Sequence, residues 1–221
     1  MKIKILFLSL SVFCFVYSAK AQEAGIRKGS RFALGSSQFE SPNFFEIPNQ
    51  KFLFEASGML LYGLNSYIGL RADLQFSYTS VLAKGQLYDG GLFNEDEHPE
   101  EAYKLFSVNL PLVFRLSTGG SVLRPYAEAG YMLQANLFGS ESRTFENSEM
   151  QSQYGFEERS MNSLNNFGSF LVAGAGIELK ANAAQTYFLE ARIYHPTGIL
   201  GRVDTKSFTY SAFSIGGGVL F

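Results

Sequence analysis

Few side chains of this sequence are suited to acid–base or nucleophilic chemistry. The only histidines are His98 and His195, and the only cysteine is Cys14. Zinc centres and thiol nucleophiles depend on these residue types, so neither is expected here. The most suggestive spacing is His195-Pro196-Thr197, in which an imidazole could activate a hydroxyl two residues away.

This spacing resembles the H-x-S pair that barrel lipid A deacylases carry on an outward rim. The resemblance implies a lipid-modifying enzyme with His195 as the base and Thr197 as the nucleophile. However, threonine stands in place of serine, Pro196 intervenes, and no acid is evidently placed to orient the imidazole. We favour a rim histidine before a proline that starts a loop. We therefore predict no catalytic residue and no cofactor, and keep the enzyme as an alternative.

Acidic side chains concentrate in two segments. Residues 84–101 and 139–166 together hold eleven of the 20 aspartates and glutamates. Carboxylate oxygens suit calcium, and they could also contact divalent ions that bridge lipopolysaccharide. The spacing is not that of an EF-hand loop, and a run of acids is usually a solvated surface. We predict acidic surface loops without a metal site.

The first residues are typical of an export signal. Lys2 and Lys4 form a basic start, residues 5–17 are apolar, and Ala19-Lys20-Ala21 fits a cleavage site. We predict that residues 1–21 are removed and that residues 22–221 form one domain. That domain has 15 basic and 20 acidic side chains and no cysteine, so it forms no disulfide.

Composition narrows the class of protein. Of 221 residues, 46% are hydrophobic and 17% charged, and 22 Phe and 12 Tyr accompany no Trp. Average proteins are about 25% charged, and a disordered chain would have few aromatics. The net charge of −2 offers no basic patch for nucleic acid. No later segment approaches the 18 consecutive apolar residues of a membrane helix.

Apolar and polar side chains alternate through the rest of the chain. In residues 67–80 the even positions from Ile68 to Tyr78 are apolar, while Arg71, Asp73, Gln75, Ser77 and Thr79 are polar. This alternation is typical of a strand with one apolar and one polar face. Several such segments exceed the roughly 9 to 11 tilted residues that cross a bilayer. The eight predicted strands are residues 30–37, 51–64, 67–80, 102–116, 123–137, 167–180, 186–194 and 207–221.

The connections between these segments alternate in length. Short turns are expected at 64–66, 117–121 and 181–184, and long loops at 38–50, 84–101, 139–166 and 198–206. Outer-membrane barrels have short periplasmic turns and long extracellular loops. The predicted fold is therefore all-β, an eight-stranded antiparallel up-and-down transmembrane β-barrel. A soluble lipocalin-type barrel would instead place the apolar face inside.

The polar face should point into the barrel, where five arginines and five acids would meet. Eight strands enclose an interior just wide enough for side chains to fill. Because buried charges need partners, the balanced set favours a closed, ion-paired lumen over a selective pore. A narrow porin-like channel is the alternative. The predicted network comprises Arg31, Arg71, Arg115, Arg124 and Arg192 with Glu55, Asp73, Glu128, Glu178 and Glu190.

Residues 103–114 and 124–131 carry a resemblance to a known family. Tyr103-Lys104-Leu105-Phe106-Ser107-Val108-Asn109-Leu110-Pro111-Leu112-Val113-Phe114 and Arg124-Pro125-Tyr126-Ala127-Glu128-Ala129-Gly130-Tyr131 resemble the "Y-L-x-I-P-L-L-L-K … P-Y-x-x-x-G" heart of the PorT-like outer-membrane β-barrel family, among porin-family proteins. The resemblance implies an outer-membrane location, no catalytic residue and a part in protein export. Inside a strand, Pro111 removes a ladder hydrogen bond, so we expect a bulge there.

The chain ends in Phe221, which resembles the signal read by the barrel assembly machinery. From all these features we expect a non-enzymatic monomer with a structural or surface-binding role. Its expected partners are outer-membrane lipid, lipopolysaccharide and the assembly machinery, and no nucleic acid.

Overall fold

The computed structural model describes residues 25–40, 51–84, 100–118, 122–145, 148–160, 167–182, 184–198, 201–203 and 206–221. The predicted signal peptide, His98 and most of the acidic run in 84–101 lie outside the described residues. The elements are β1 (Ile26–Glu40), β2 (Lys51–Gly63), β3 (Ile68–Lys84), β4 (Glu100–Ser117), β5 (Leu123–Thr144), α1 (Ser148–Tyr154), β6 (Phe156–Ser160), β7 (Phe167–Lys180), β8 (Thr186–Pro196), β9 (Gly201–Val203) and β10 (Lys206–Leu220).

Eight of these strands form a closed ring. The order is β1-β2-β3-β4-β5-β7-β8-β10, and β10 pairs back onto β1 from Gly29↔Leu220 to Glu40↔Thr209. All ring pairings are antiparallel, and each of the eight ring strands is paired on both sides in the described residues. The predicted eight-stranded antiparallel barrel is confirmed.

Two of the short turns are held by asparagine side chains. The Oδ1 atom of Asn65 accepts hydrogen bonds from the backbone nitrogens of Tyr67 (2.8 Å) and Ile68 (2.9 Å). The Oδ1 atom of Asn182 does the same for Ala184 and Gln185, both at 2.8 Å. Asparagine suits such turns because its side-chain oxygen can accept a hydrogen bond from the backbone N–H two residues further along the chain, as a backbone carbonyl does in other turns. We call this end of the barrel the turn end and the opposite end the loop end.

Strand β5 continues past the expected loop boundary. Residues 139–166 were expected to be a loop, but β5 runs to Thr144 and is followed by α1 and β6. β6 pairs with β5 outside the ring, with Glu141↔Arg159 in register. The predicted fifth strand ends at residue 137, where the alternating apolar face of the sequence ends. A strand segment beyond the bilayer needs no apolar outward face, so its pattern weakens.

The outward face of the ring is apolar and exposed. Leu34, Leu74 and Leu189 expose more than half of their surface, as do many outward leucines. Such a continuous apolar band is unfavourable in water and suits the hydrocarbon core of a membrane. No helix in the described part of the chain is long and apolar enough to cross a membrane.

Aromatic rings flank this band at both ends. At the turn end, Tyr62 and Tyr187 are about half exposed. At the loop end, Phe106 lies between Tyr78 and Phe138, with ring centroids 4.7 and 4.4 Å away. These rings occupy the levels where amphipathic aromatics meet lipid headgroups.

The bulge expected at Pro111 lies elsewhere. Pro111 pairs in register with Met132 of β5, and the shift between β4 and β5 comes at Phe106/Ser107. On the side of β4 that faces β3, the paired residues pass directly from Ala72↔Leu112 to Gln75↔Asn109, so Pro111 lies in a gap of the pairing. The gap in that ladder accommodates the missing N–H of proline, because a proline nitrogen donates no ladder bond.

Inward glycines make room for larger inward side chains. A Cβ atom at Gly176 would lie 2.5 Å from Cζ of Tyr126. We expect Gly176→Val to lower the free energy of unfolding by about 1–3 kcal/mol, since the added side chain overpacks against the Tyr126 ring and the backbone oxygen of Leu189. Denaturant unfolding of the folded protein in detergent micelles would measure the change. The control, Ala175→Val on the exposed outward face of the same strand, should leave stability nearly unchanged. Equal losses in both variants would contradict this account.

Candidate functional site

Seven charged side chains meet in the middle of the lumen. They project from inward positions of β1, β2, β3, β5 and β8, and each is at most 4% exposed. We call this group the central cluster, which comprises Arg31, Arg71 and Arg192 with Glu55, Asp73, Glu128 and Glu190.

Arg71 and Arg192 share their carboxylate partners. Arg71 donates from Nε and Nη2 to the two oxygens of Asp73 at 2.8 and 2.9 Å, and from Nη1 to Glu190 at 2.7 Å. Arg192 donates from Nε to Glu128 at 2.6 Å and from Nη1 to Asp73 at 3.1 Å. Asp73 thus joins two guanidinium groups that come from strands on different sides of the ring. Forked, charge-assisted bonds of this kind fix geometry as well as adding energy.

Glu190 is the most connected carboxylate of the central cluster. It forms ion pairs with Arg31, Arg71 and Arg192, and it accepts a hydrogen bond from the Tyr126 hydroxyl at 2.7 Å. An anion buried without partners would be very unfavourable. Three guanidinium groups and a phenol replace the water that Glu190 gives up.

Neutral side chains complete the central cluster. Glu55 pairs with Arg31 and accepts bonds from Tyr194 (3.1 Å) and Gln75 (3.0 Å). Arg31 also donates to Ser214 Oγ at 2.9 Å. These donors matter because three cations face four carboxylates. Extra hydrogen bonds of this type are what allow a buried ion group to offset its desolvation.

A second, smaller group lies nearer the turn end. Glu178 pairs with Arg115 at 2.9 Å and with Arg27 at 3.4 Å. The Arg115 guanidinium lies over the ring of Tyr126, 3.3 Å from its centroid. Since the Tyr126 hydroxyl bonds Glu190, one tyrosine connects the two groups.

The residues predicted for the network are therefore divided. Nine are buried in these two groups, while Arg124 is half-buried at the turn end, in register with Glu178 and outside the central cluster. Arg27 is a partner that sequence reasoning missed, because strand one was started at residue 30. Arg27 precedes Arg31 by four residues, an even spacing that places both side chains on the same inward face of β1. This spacing is the sequence signal that would have identified Arg27.

The lumen also contains two apolar layers that the sequence analysis did not predict. The loop-end layer comprises Leu53, Tyr103, Leu105, Phe170 and Tyr210. The turn-end layer comprises Met59, Leu61, Tyr126, Phe188 and Leu220. These residues occupy inward positions that had been assigned to a polar face. The interior is therefore a packed core in which the central cluster lies between two apolar layers.

The rim residues considered for catalysis are placed differently from a nucleophile and its base. The Thr197 hydroxyl lies 2.6 Å from Ser169 Oγ and 3.1 Å from the Tyr131 hydroxyl. His195 is exposed on the outward face. Among the residues that the structure describes, no hydrogen bond joins His195 to Thr197. Thr197 thus belongs to a cluster of three hydroxyl groups, with Ser169 and Tyr131.

The described acidic side chains at the loop end are mostly solvated. Glu149 and Glu157 are exposed, as is Glu158. Hydrogen bonds from Ser140 and from Lys104 lower the pKa of Glu158 below its usual value. Within the described ranges, no group of three or more His, Cys, Asp or Glu is arranged to hold a metal ion.

Comparison with known proteins agrees with this architecture. The outer membrane protein beta-barrel domain family matches residues 20–198. The chain belongs to this family. It is an outer-membrane β-barrel protein, and its location is the cell outer membrane. No curated protein matches the chain.

Several solved structures are similar in fold at low identity. Neisserial surface protein A is 15% identical, with 89% of this chain and 96% of that chain covered and a TM-score of 0.46. OprG from Pseudomonas aeruginosa is 11% identical, with coverages of 90% and 96% and a TM-score of 0.49. The outer membrane enzyme PagL is 15% identical, with coverages of 86% and 97% and a TM-score of 0.42.

Removing one arginine from the central cluster should be strongly destabilising. We expect Arg192→Met to lower the free energy of unfolding by about 3–5 kcal/mol, because Glu128 and Asp73 would lose a buried partner. Urea unfolding in micelles, followed by circular dichroism, would measure this.

The matched control is Lys104→Met, which breaks the exposed ion pair with Glu158 at 3.1 Å. Exposed pairs contribute roughly 0–1 kcal/mol, so this variant should unfold nearly as the wild type does. If Arg192→Met were no more destabilising than Lys104→Met, the central cluster would not be a structural core. Should Arg192→Met fail to fold, Arg192→Lys should fold with an intermediate loss.

Proposed function

We propose that this outer-membrane barrel is non-enzymatic, does not conduct solutes and serves as a rigid scaffold for surface binding at its loop end. The observation that carries the proposal is the filled lumen. The central cluster occupies the middle of the barrel, and apolar layers lie above and below it. A passing solute would have to separate buried ion pairs whose partners have no water to replace them.

A narrow porin is the competing function. It would need the inward charges to line a water path, yet Arg31, Arg71 and Arg192 expose at most 2% of their surface. The charged groups bind one another instead of facing a channel. This packing supports the closed lumen and disfavours conduction.

The loop end supports a role at the cell surface. β3, β4 and β5 continue together, with β4 paired to β5 from Lys104↔Ser140 to Glu100↔Thr144, and β6 adds a fourth strand beside β5. Lys104 Nζ and Ser140 Oγ both bind Glu158 of β6, at 3.1 and 2.6 Å. The extension is thus ordered by its own contacts and continuous with the barrel wall. A rigid, acidic surface of this kind can bind a cationic partner with little loss of entropy.

We further propose outer-membrane lipid and lipopolysaccharide as the surroundings of the apolar band, and a monomer as the working unit. Phe221 is proposed as the signal for the barrel assembly machinery. Its backbone nitrogen donates to the Lys28 carbonyl at 2.7 Å, so it closes the seam between β10 and β1. The PorT-like resemblance of the Pro111 segment adds the hypothesis of a part in protein export.

Conductance distinguishes the closed barrel from the porin. We expect the folded protein to give no discrete current steps in planar lipid bilayers, because the lumen is filled. Heat-modifiable gel mobility of the same reconstituted vesicles would show how much folded protein is inserted. Reproducible steps that scale with the inserted protein would overturn the closed-lumen proposal and establish the porin.

Surface binding is tested by reversing charge at the loop end. Cells displaying Glu149→Lys and Glu157→Lys together should bind a fluorescent oligolysine peptide several-fold less than wild-type cells at low salt, because exposed charges act over about a Debye length. Lys180→Glu, which reverses a charge at the turn end, is the control and should not change binding. Unchanged binding by the glutamate variant would exclude the acidic loop end as the binding surface.

A further inference from the structure

A groove of about 850 Å³ runs along the outward wall of the barrel, where β10 lies between β1 and β8. Gly217 of β10 lines it and pairs with Phe32 of β1 and Leu189 of β8. The space between those two side chains stays open because glycine has no side chain to fill it. Ser36 is the single polar side chain among the described lining residues. We call this space the wall groove.

The wall groove lies in the apolar band that faces the membrane. Phe32, Phe213 and Ile215, which line it, are each about half exposed. Hydrocarbon is therefore what this wall meets in the outer membrane, and an empty space beside it would lose dispersion contacts. An acyl chain in the groove restores those contacts. It gains packing rather than hydrophobic transfer, because the surrounding lipid is equally apolar. The groove by itself thus favours a chain but selects no particular lipid.

Polar side chains lie directly above the wall groove, on its loop-end side. Gln38 of β1 pairs with Ser211 of β10, one outward position beyond the Ser36↔Phe213 pair that lines the groove. On β8, the register with β10 extends to place His195 beside Ser211 on the outward face. Gln38 and His195 are exposed, and Ser211 is half-buried. An apolar groove and a set of hydrogen-bonding groups therefore meet on the same three strands.

The cluster of three hydroxyl groups continues this polar surface around the wall. Thr197 of β8 lies 2.6 Å from Ser169 of β7 and 3.1 Å from Tyr131 of β5. The surface thus crosses five neighbouring strands, from β1 through β10, β8 and β7 to β5. Four interstrand spacings of about 4.8 Å make it roughly 19 Å wide. We call it the polar row, and its members are Gln38, Tyr131, Ser169, His195, Thr197 and Ser211.

The polar row offers both donors and acceptors, without Lys, Arg, Asp or Glu. Each hydroxyl group has one proton but two lone pairs, so acceptor capacity remains however the protons of the cluster are arranged. The imidazole and the amide add further donors and acceptors. Sugar hydroxyl and amide groups also donate and accept, whereas the oxygens of an ionised phosphate only accept. The chemistry of the row therefore suits an acylated sugar better than a phosphate.

The opposite part of the ring is built differently at the same end. On β3, β4 and β5, the loop end of the band carries the packed rings of Tyr78, Phe106 and Phe138. An aromatic ring at this level suits any lipid headgroup. The polar row is thus a feature of one side of the barrel rather than of the whole circumference.

We propose that the wall groove and the polar row together hold one molecule of lipopolysaccharide by its lipid A part, an acylated sugar. One acyl chain lies in the groove, and the sugar hydroxyl and amide groups bond to the row. Long loops are extracellular in outer-membrane barrels, so the row meets the outer leaflet. This inference rests on the proposal above that lipopolysaccharide surrounds the apolar band, and it adds a fixed site on one side.

Competition between two lipids tests the site. Folded protein in non-ionic micelles is mixed with equal amounts of lipid A and phosphatidylglycerol, and native mass spectrometry counts the lipids retained per barrel. We expect one lipid A per barrel. Gly217→Leu fills the groove and should lower the retained fraction several-fold. Ala129→Leu adds the same side chain to the exposed outward face of β5 and should behave as the wild type does.

Two further variants make the test independent of one substitution. A Cβ atom at Gly217 lies 3.0 Å from the backbone oxygen of Phe188, so Ser36→Leu fills the groove from the β1 side as a second variant. Heat-modifiable mobility verifies folding. Tyr131→Phe with Thr197→Val leaves the groove open but removes two hydroxyl groups. This pair should reduce the preference for lipid A over phosphatidylglycerol about tenfold.

Four outcomes would overturn the proposal. They are no retained lipid, a preference of the wild type for phosphatidylglycerol, an equal loss in Ala129→Leu, and a lipid-free barrel of twice the mass, which would assign the groove to a second copy. None of them would affect the proposed scaffold function, because conductance and oligolysine binding measure the lumen and the loop end.

Discussion

The structure depends on one constraint, which is that charges inside an eight-stranded barrel must find partners within it. Glu190 meets this constraint with three arginines and a tyrosine, and Asp73 with two arginines. These partners come from strands far apart in sequence, such as β3 and β8. Ring closure is therefore also a condition for charge compensation, because an open sheet would leave Arg71 without Glu190.

Enclosure of the charges decides where function can reside. The apolar layers exclude water from the central cluster, and Tyr126 belongs both to the turn-end layer and to the bonding of Glu190. In the proposed closed barrel, where structural contacts occupy the middle of the lumen, the two ends are the parts of the interior left for binding. This separation agrees with a general feature of barrels, in which a rigid wall presents variable ends.

The two ends differ in charge and in construction. At the loop end, a four-stranded extension of the wall carries exposed acids, ordered by Lys104 and Ser140 around Glu158. At the turn end, basic side chains gather in a cavity at the mouth of the lumen. An acidic outer surface and a basic inner mouth give the barrel a charge asymmetry along its axis. Total net charge, which is nearly zero, conceals this asymmetry.

The sequence by itself determined the fold class, because a period of two over long segments with alternating short and long connections fits a membrane barrel and few other folds. It also determined which face Arg71 and Asp73 occupy. Only the tertiary structure decided the partners, the apolar inward layers and the separation of Arg124 from the central cluster. The reason is that the odd or even position of a residue along its strand specifies only which face of the sheet it occupies. Which inward side chains lie at the same height in the barrel depends on the register offset between neighbouring strands. That offset is set when the ring closes.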